Sequence, residues 1–409
     1  MATCALSWVV LEWVRGFLIT GFPWNFLGAS QLDVPWLPLF AAYAGVTGVS
    51  LVVAFVSVGV LAAVRAPGLR PALLEMVLPL LILTLALAAG RTRGQQVAQV
   101  QSGRGTLRVA TLRVALVQPS IPQTVIWDSA RDANRTMERW ETLLALTEQA
   151  LDSQPHLLVW PEASVPPMPD DEALRERWGE VGRRCESLGV WRVLGTDEAV
   201  EDAQGRRFYN SCVLISPEGR IVETYRKQHL VMFGEYVPFG NVFPFLKRLA
   251  PVGTFSRGEG PQVFDIGTAR LAPLICFEDV VSPLVRRAVG PSVDALLNLT
   301  NDGWFGESGQ QWQHARSAAF RAIETGRPLI RCTNNGVSCW VDAAGRVHRL
   351  DGRARVHDPG VRLADIPLAT AAAGAPTWHS KAGDWLGWLA IALCAVAAWR
   401  RRGVPARKN

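Results

Sequence analysis

Four side chains of this sequence could together do covalent chemistry. Cys276 sits in "LICFEDVV" (residues 274–281), at the end of an apolar run with Glu278 just behind it. Glu162 follows "LLVWP", where Pro161 favours an extended approach and so ends a strand on an acid. Lys227 and Glu235 lie in "YRKQHLVMFGEYVPF". A thiol is a poor nucleophile until it loses its proton. A carboxylate can take that proton, and an ammonium can stabilise first the thiolate and then the oxyanion of a tetrahedral intermediate. A carboxylate at an apolar strand end also loses solvation and becomes a better base. Each residue has a plainer alternative. Most cysteines are inert packing, Lys227 could lie on the surface, and Glu162 could sit at a helix N-terminus. Glu235 and Glu278 could be ordinary ion-pair partners. His229 and His314 are rival bases for a Cys–His pair, which spacing alone does not exclude.

Positioning such a set takes a sheet. The middle of the chain alternates short apolar runs with charged segments of helical length. The runs are 113–118, 156–162, 191–196, 209–215, 270–276, 294–300 and 328–334; Ser129–Leu151 and Asp170–Leu188 read as helices. "SPEG" (216–219) is a turn between two strands. This is an α/β pattern, and in such sheets sites gather beyond the carboxyl ends of strands, where Glu162, Cys276 and Asn301 all fall.

The two ends of the chain differ from the middle. Ala2–Phe22 is apolar apart from Glu12 and Arg15, Pro35–Val64 carries no charge, Ala72–Ala89 carries only Glu75, and Trp385–Trp399 carries none. A bilayer core of ~30 Å needs about 20 helical residues. The expected layout is about three spans within residues 1–90, a linker over 91–106, an α/β domain over 107–370, a further span over 383–400 and a basic tail over 401–409. Arg65 and Arg70 between two runs, and the basic residues after Arg400, predict that those segments are cytoplasmic and that the α/β domain lies on the opposite face. Glu12 and Arg15, three residues apart, are expected either to pair on one helix face or to lie near an interface and snorkel. The 409 residues carry a formal charge of +6, but the basic residues are scattered, which argues against nucleic acid. The seven cysteines form no C-x-x-C pair, so neither a zinc site nor a disulfide framework is signalled.

The ordered set Glu162, Lys227, Cys276 resembles the Glu–Lys–Cys triad of the nitrilase superfamily of carbon–nitrogen hydrolases. Within it, "LEWVRGFLITGFPW", "VALVQPSIPQ", "LLVWPEASVP", "YRKQHLVMFGEYVPF", "LICFED", "NLTNDGWFGES" and "ETGRPLIRCTNNGVS" resemble, in order, the membrane-bound apolipoprotein N-acyltransferase family. The family usually carries several more spans ahead of the "EWVRG" motif. The resemblance implies a nitrilase-like αββα sandwich inserted between transmembrane helices, in the bacterial inner membrane and facing outward. It assigns Glu162 as general base, Lys227 as the triad lysine and Cys276 as nucleophile, with Glu235 and Glu278 in support. Tyr236, Phe277, Asn301 and Trp304 are the candidate substrate contacts. The implied reaction moves an acyl chain from a phospholipid, phosphatidylethanolamine by expectation, through a cysteine thioester to the α-amine of a diacylated apolipoprotein, with no metal or other cofactor. A membrane-anchored amidase with the same triad is the alternative. A catalytically dead lipoprotein-binding scaffold is a third reading, against which the intact triad argues. The aromatic stretch Phe239–Phe255 is expected to form a membrane-dipping arm, against the alternative that it fills the α/β core.

Overall fold

The computed structural model describes residues 2–101, 109–129, 132–168, 170–202, 205–239, 243, 245, 255–290, 292–350, 355–369 and 376–402. Two six-stranded sheets face each other. The first runs in the order β12-β1-β2-β3-β4-β5, formed by β1 (Val109–Gln118), β2 (Leu157–Val159), β3 (Trp191–Asp202), β4 (Gly205–Ile215), β5 (Ile221–Arg226) and β12 (Gly360–Ala369). The second runs β11-β10-β9-β8-β7-β6, from β6 (Phe264–Asp265), β7 (Arg270–Ile275), β8 (Ala295–Thr300), β9 (Leu329–Thr333), β10 (Cys339–Val341) and β11 (Val347–Arg349). The central strands β1, β2 and β3 are parallel, as are β7, β8 and β9. Parallel central strands are buried on both faces, which is why they read as unbroken apolar runs. Val114, Leu116, Leu157 and Val159 of one sheet meet Leu271, Leu297, Leu299 and Ile330 of the other in the central core.

The outer faces are covered by helices. On the first sheet lie α5 (Ala133–Leu151) and α6 (Glu172–Leu188), each started by an aspartate N-cap, Asp132 or Asp171, accepting from backbone N–H groups. On the second lie α7 (Ser282–Ala288) and α8 (Gln310–Thr325). A short α4 (Gln123–Ser129) follows β1. The layers are therefore helix, sheet, sheet, helix, the αββα sandwich expected from the sequence. The 216–219 turn joins β4 to β5, with the Gly219 N–H donating to the Ser216 carbonyl.

At the ends of the chain lie α1 (Ala2–Arg15), α2 (Ala41–Arg65), α3 (Leu69–Gln101), α9 (Trp378–Ala382) and α10 (Trp385–Arg402). Two helices of the described residues, covering Pro38–Arg65 and Leu69–Val100, are long and apolar enough to cross a membrane. Of the three apolar runs before residue 90, the first forms α1, which has 14 residues, about 21 Å at 1.5 Å per residue. The expected linker begins within a helix. α3 continues unbroken through Gln101, because "QQVAQVQ" is made of good helix formers; residues 102–108 are not described. The basic tail beyond Arg402 lies outside the described residues. α3 leaves Leu73, Leu74, Val77, Leu81 and Leu85 exposed. A contiguous apolar surface of that kind suits lipid rather than water. Its Pro79 packs into the notch left by Gly59 of α2.

Glu12 and Arg15 do not pair. Glu12 is buried and its Oε1 accepts from the Leu27 N–H at 2.6 Å, while Arg15 lies over the Phe26 ring at 5.2 Å. The chain folds back after α1, so each side chain finds the returning segment closer than its neighbour. Of the expected aromatic arm, Phe239, Phe243, Phe245 and Phe255 are described and most of the rest lies outside the described residues. Phe239, Phe243 and Phe245 are 66%, 50% and 61% exposed, so these three do not belong to the core.

Candidate active site

Four chain segments converge beyond the carboxyl ends of β2, β5, β7 and β8. Cys276 is the first residue after β7 and opens a 3-10 turn over Cys276–Val280. Its φ of +54° is a left-handed conformation that a side-chain-bearing residue adopts at a cost, and it turns the thiol out of the strand direction. Lys227 follows β5 directly and is 1% exposed. Glu162 lies just past β2, and Ala163 behind it also has positive φ, +48°. Gly195 of β3 permits this approach: a Cβ there would sit 2.1 Å from the Pro161 carbonyl oxygen.

Lys227 Nζ donates to Glu162 Oε1 at 3.1 Å and to Glu235 Oε1 at 2.8 Å. Asn210, in the middle of β4, donates its one amide nitrogen to the same two oxygens, at 2.8 and 2.9 Å. Glu162 Oε2 accepts from the Asn301 backbone N–H at 2.9 Å, and Glu235 Oε2 from the Val231 N–H at 2.8 Å. Burial alone would lower the Lys227 pKa, but Glu162, Glu235 and the neighbouring thiol hold it well above the ordinary lysine range. Burial would raise Glu235, and Lys227 more than offsets it, so this carboxyl stays below its usual range. The Cys276 thiol is pushed well above the ordinary thiol range by burial and then by Glu162, against the pull of Lys227. The site therefore holds a lysinium against the Glu235 carboxylate, beside a protonated thiol.

Glu278 is fully buried beneath Cys276. Its carboxylate accepts from the backbone N–H groups of Gln228, His229 and Ile275 and from the Tyr225 hydroxyl, at 2.7 to 2.9 Å. Burial pushes it up to about 7 despite those donors. It ties the Cys276 turn to the backbone that follows Lys227. The rival histidines have neighbours of their own. Burial, Lys227 and Arg257 lower His229 to about 4, and its ring stacks on Phe277 at 5.9 Å. Both ring nitrogens of His314 are engaged by carboxylates, Nε2 with Asp279 Oδ1 at 2.8 Å and Nδ1 with Asp302 Oδ1 at 2.7 Å. Arg331 bridges the same pair, to Asp279 Oδ2 at 2.5 Å and to Asp302 Oδ2 at 2.8 Å. This buried quartet locks the Cys276 turn to the next 3-10 turn, Asp302–Phe305.

A family model described as carbon-nitrogen hydrolase matches residues 113–375, and one for the apolipoprotein N-acyltransferase N-terminal domain matches residues 1–59. The chain is 32% identical to an apolipoprotein N-acyltransferase of Geobacter metallireducens, over 98% of this chain and 74% of that protein. One from Allorhizobium ampelinum is 33% identical, over 100% of this chain and 74% of that protein. One from Rhizobium rhizogenes is 33% identical, over 85% and 64%. The chain belongs to the apolipoprotein N-acyltransferase family. It thus spans roughly two thirds to three quarters of the length of these curated relatives. A solved amidase from Nesterenkonia sp. aligns over 64% of this chain and 93% of its own, at 20% identity and a TM-score of 0.43.

Membership in this enzyme family fits the convergence of Glu162, Lys227, Glu235, Cys276 and Glu278, all singled out in the sequence. The candidate substrate contacts divide. Phe277 is half-buried and stacks with Trp24 at 5.9 Å and Phe22 at 5.8 Å, so the "GFPW" segment of the membrane region forms one wall beside the nucleophile turn. Trp304 is 50% exposed. Tyr236 has a buried hydroxyl with no hydrogen-bond partner among the described residues, and Arg257 lies over its ring at 5.8 Å. The Asn301 side chain already has partners within the protein. It is 4% exposed, its Oδ1 accepts from the Gly303 N–H and from Asn334, and its amide donates to Gln123. It is a positioning group that carries Glu162 on its backbone N–H. Sequence reasoning missed Asn210, Tyr225 and the Asp279–Asp302–Arg331 set. Their only signal was a polar residue inside an apolar strand or an acid beside a motif residue.

Proposed function

We propose that this chain moves an acyl chain from a membrane phospholipid to the N-terminal amine of a diacylated apolipoprotein, through a thioester on Cys276. The observation that carries the reading is the buried Lys227 clamped between Glu162 and Glu235 beside a nucleophile in a left-handed turn. In the first step Cys276 Sγ attacks the ester carbonyl and Glu162 takes the thiol proton. The tetrahedral intermediate collapses, the carbon–oxygen bond breaks, and Glu162 returns the proton to the departing lysophospholipid. In the second step the α-amine attacks the thioester and loses a proton to Glu162, which passes it to the leaving thiolate. Two of the three ammonium protons of Lys227 go to carboxylates. The third is left for the thiolate or the oxyanion, which a dry site stabilises strongly.

A thioester must be shielded from water until the amine arrives. The aromatic wall of Phe22, Trp24 and Phe277 supports that shielding. The names of the relatives support the lipoprotein acceptor; phosphatidylethanolamine as donor follows from the family resemblance. The inner-membrane, multi-pass location with an outward catalytic domain is part of the same proposal, supported by the two membrane-length helices and by Arg65 and Arg70 at the helix ends that flank the turn between them. The test incubates the purified chain with labelled phospholipid and a diacylated lipopeptide. Label should pass first to the protein, as a hydroxylamine-sensitive adduct, and then to the peptide, and Cys276→Ala should abolish both. Hydrolysis of amides without transfer would favour the amidase reading, and an adduct persisting on Cys276→Ala would overturn the assignment.

A further inference from the structure

The segment that returns from α1 towards α2 is held at both ends. Gly21, at φ +83°, turns it directly back over the end of α1, where a Cβ would sit 2.1 Å from the Gly16 carbonyl oxygen. At the near end the Phe22 N–H donates to the Arg15 carbonyl at 2.8 Å. At the far end the Gly28 N–H donates to Ser50 Oγ of α2 at 2.8 Å, and a Cβ on Gly28 would sit 2.5 Å from the Val46 carbonyl oxygen. Just before that end the Glu12 carboxyl, 7% exposed, reaches across from α1 and accepts from the Leu27 N–H at 2.6 Å. Its other oxygen is buried with no hydrogen-bond partner among the described residues. An acid buried for a single backbone donor gains little stability. What it does supply is the position of the segment.

That segment carries aromatic rings up to the thiol. Phe22 stacks on Phe277 at an interplanar angle of 18° and Trp24 at 7°, and Phe277 directly follows Cys276. Trp24 and Asn25 both donate to Gln313 Oε1 of α8, at 3.4 and 3.0 Å. Phe22 is exposed at its outer side, as are Phe17, Leu18 and Ile19 of the same segment. Apolar side chains of one segment thus run from the end of α1 to the nucleophile turn. An acyl chain arriving from a bilayer can bury its length against them, whereas a short ester dissolved in water has no need of them.

We propose that Glu12 is a positioning residue for the phospholipid donor: through Leu27 it holds Phe22 and Trp24 against Phe277, along the path by which the acyl chain reaches Cys276. The inference rests on the acyl-transfer reading. The test uses the full chain in detergent and compares Glu12→Leu, which fills the space without an acceptor, with Glu12→Gln, which keeps an acceptor oxygen. Thioester formation on Cys276 is timed with labelled phospholipid and with a short, water-soluble acyl ester, and hydrogen exchange is followed over residues 17–28. In Glu12→Leu that segment should exchange at least ~10-fold faster. Its thioester should form from phospholipid ~10-fold more slowly, with a raised KM. The short ester should react within about twofold of the wild-type rate. Glu12→Gln should stay near wild type in all three measurements. If Glu12→Leu does not fold, Leu27→Pro carries the same comparison from the other side. It deletes the N–H that Glu12 accepts, at the first position of a 3-10 turn where proline fits, after a Phe26 already extended at ψ 146°. Unchanged exchange overturns the proposal, as does equal slowing with both donors or an unchanged phospholipid rate. A wild-type chain that forms no thioester from either donor overturns the acyl-transfer reading, and this inference with it.

Discussion

The Cys276 thiol rests protonated because burial and the adjacent Glu162 carboxylate outweigh Lys227. Glu162 therefore has two opposite effects. It disfavours the free thiolate, yet it is the group that takes the proton in the proposed acylation. Glu162→Gln removes both. Alkylation of Cys276 by iodoacetamide, which follows the thiolate fraction, should then reach half-maximal rate at lower pH than in wild type. Acylation by an ester should instead fall at least ~100-fold. Rate-against-pH profiles for both reagents check this; a parallel loss of both reactions counts against the base role. The buried quartet makes a second prediction. His314 is lowered by burial and by Arg331, but Asp279 and Asp302 raise it further, so its folded pKa lies above the ordinary value. A raised folded pKa contributes stability that is complete below the unfolded value and lost as pH rises through the folded one. His314→Gln leaves two buried carboxylates with one guanidinium and should cost about 3 kcal/mol at pH 6. The deficit should shrink at pH 9, as denaturant unfolding at the two pH values would record.

Among elements, α2 carries the junction with the catalytic domain. Its helix breaks at Gly45, with φ +66°, and the break frees the Val46 N–H to donate to Glu324 Oε1 of α8 at 2.8 Å. Arg321 and Ser282 donate to the same carboxylate, at 2.7 Å each. A Cβ at residue 45 would meet His379 Cε1 at 2.8 Å, so Gly45→Ala combines backbone strain with a clash and should cost about 2–4 kcal/mol. Gly182→Ala is the control: nothing lies within 4 Å of its Cβ inside α6, and it should be neutral or stabilising by up to ~1 kcal/mol. Thermal unfolding of the two variants decides. The junction also marks the limit of what the sequence discloses. The central parallel strands and the helices α5 and α6 were legible, because burial on two faces or one leaves a pattern in the residue types. β12 was not: "GVRLADIPLA" carries Arg362, Asp365 and Pro367, and reads as a strand only once antiparallel pairing with β1 is known. The convergence of Glu162, Lys227 and Cys276 was legible from motif order. Asn210 and Arg331 were not, since their roles depend on partners 25 to 52 residues away in sequence.

At the scale of the whole molecule, two apolar surfaces face outward. α3 exposes Leu73, Leu74 and Val77, and Phe239, Phe243 and Phe245 stand exposed a few residues beyond Glu235. Phe243 and Phe245 lie 6.1 Å apart, centroid to centroid, a small aromatic knob on a catalytic domain whose other large aromatics are mostly buried or stacked. Water gives such a knob no stabilisation, whereas the acyl boundary of a bilayer does. Phe243→Ser with Phe245→Ser should therefore leave the unfolding midpoint within about 2 °C of wild type, because surface changes away from packed contacts cost little. The thioester should form more slowly from phospholipid in vesicles, because the double variant loses purchase on the membrane. A short, water-soluble acyl ester should still acylate Cys276 at near-normal rate, since Glu162, Lys227 and Glu278 are untouched. The two donors thus separate access from chemistry. Slowing with both donors alike, together with a lowered midpoint, would return these rings to the core and remove the membrane-facing reading of this edge.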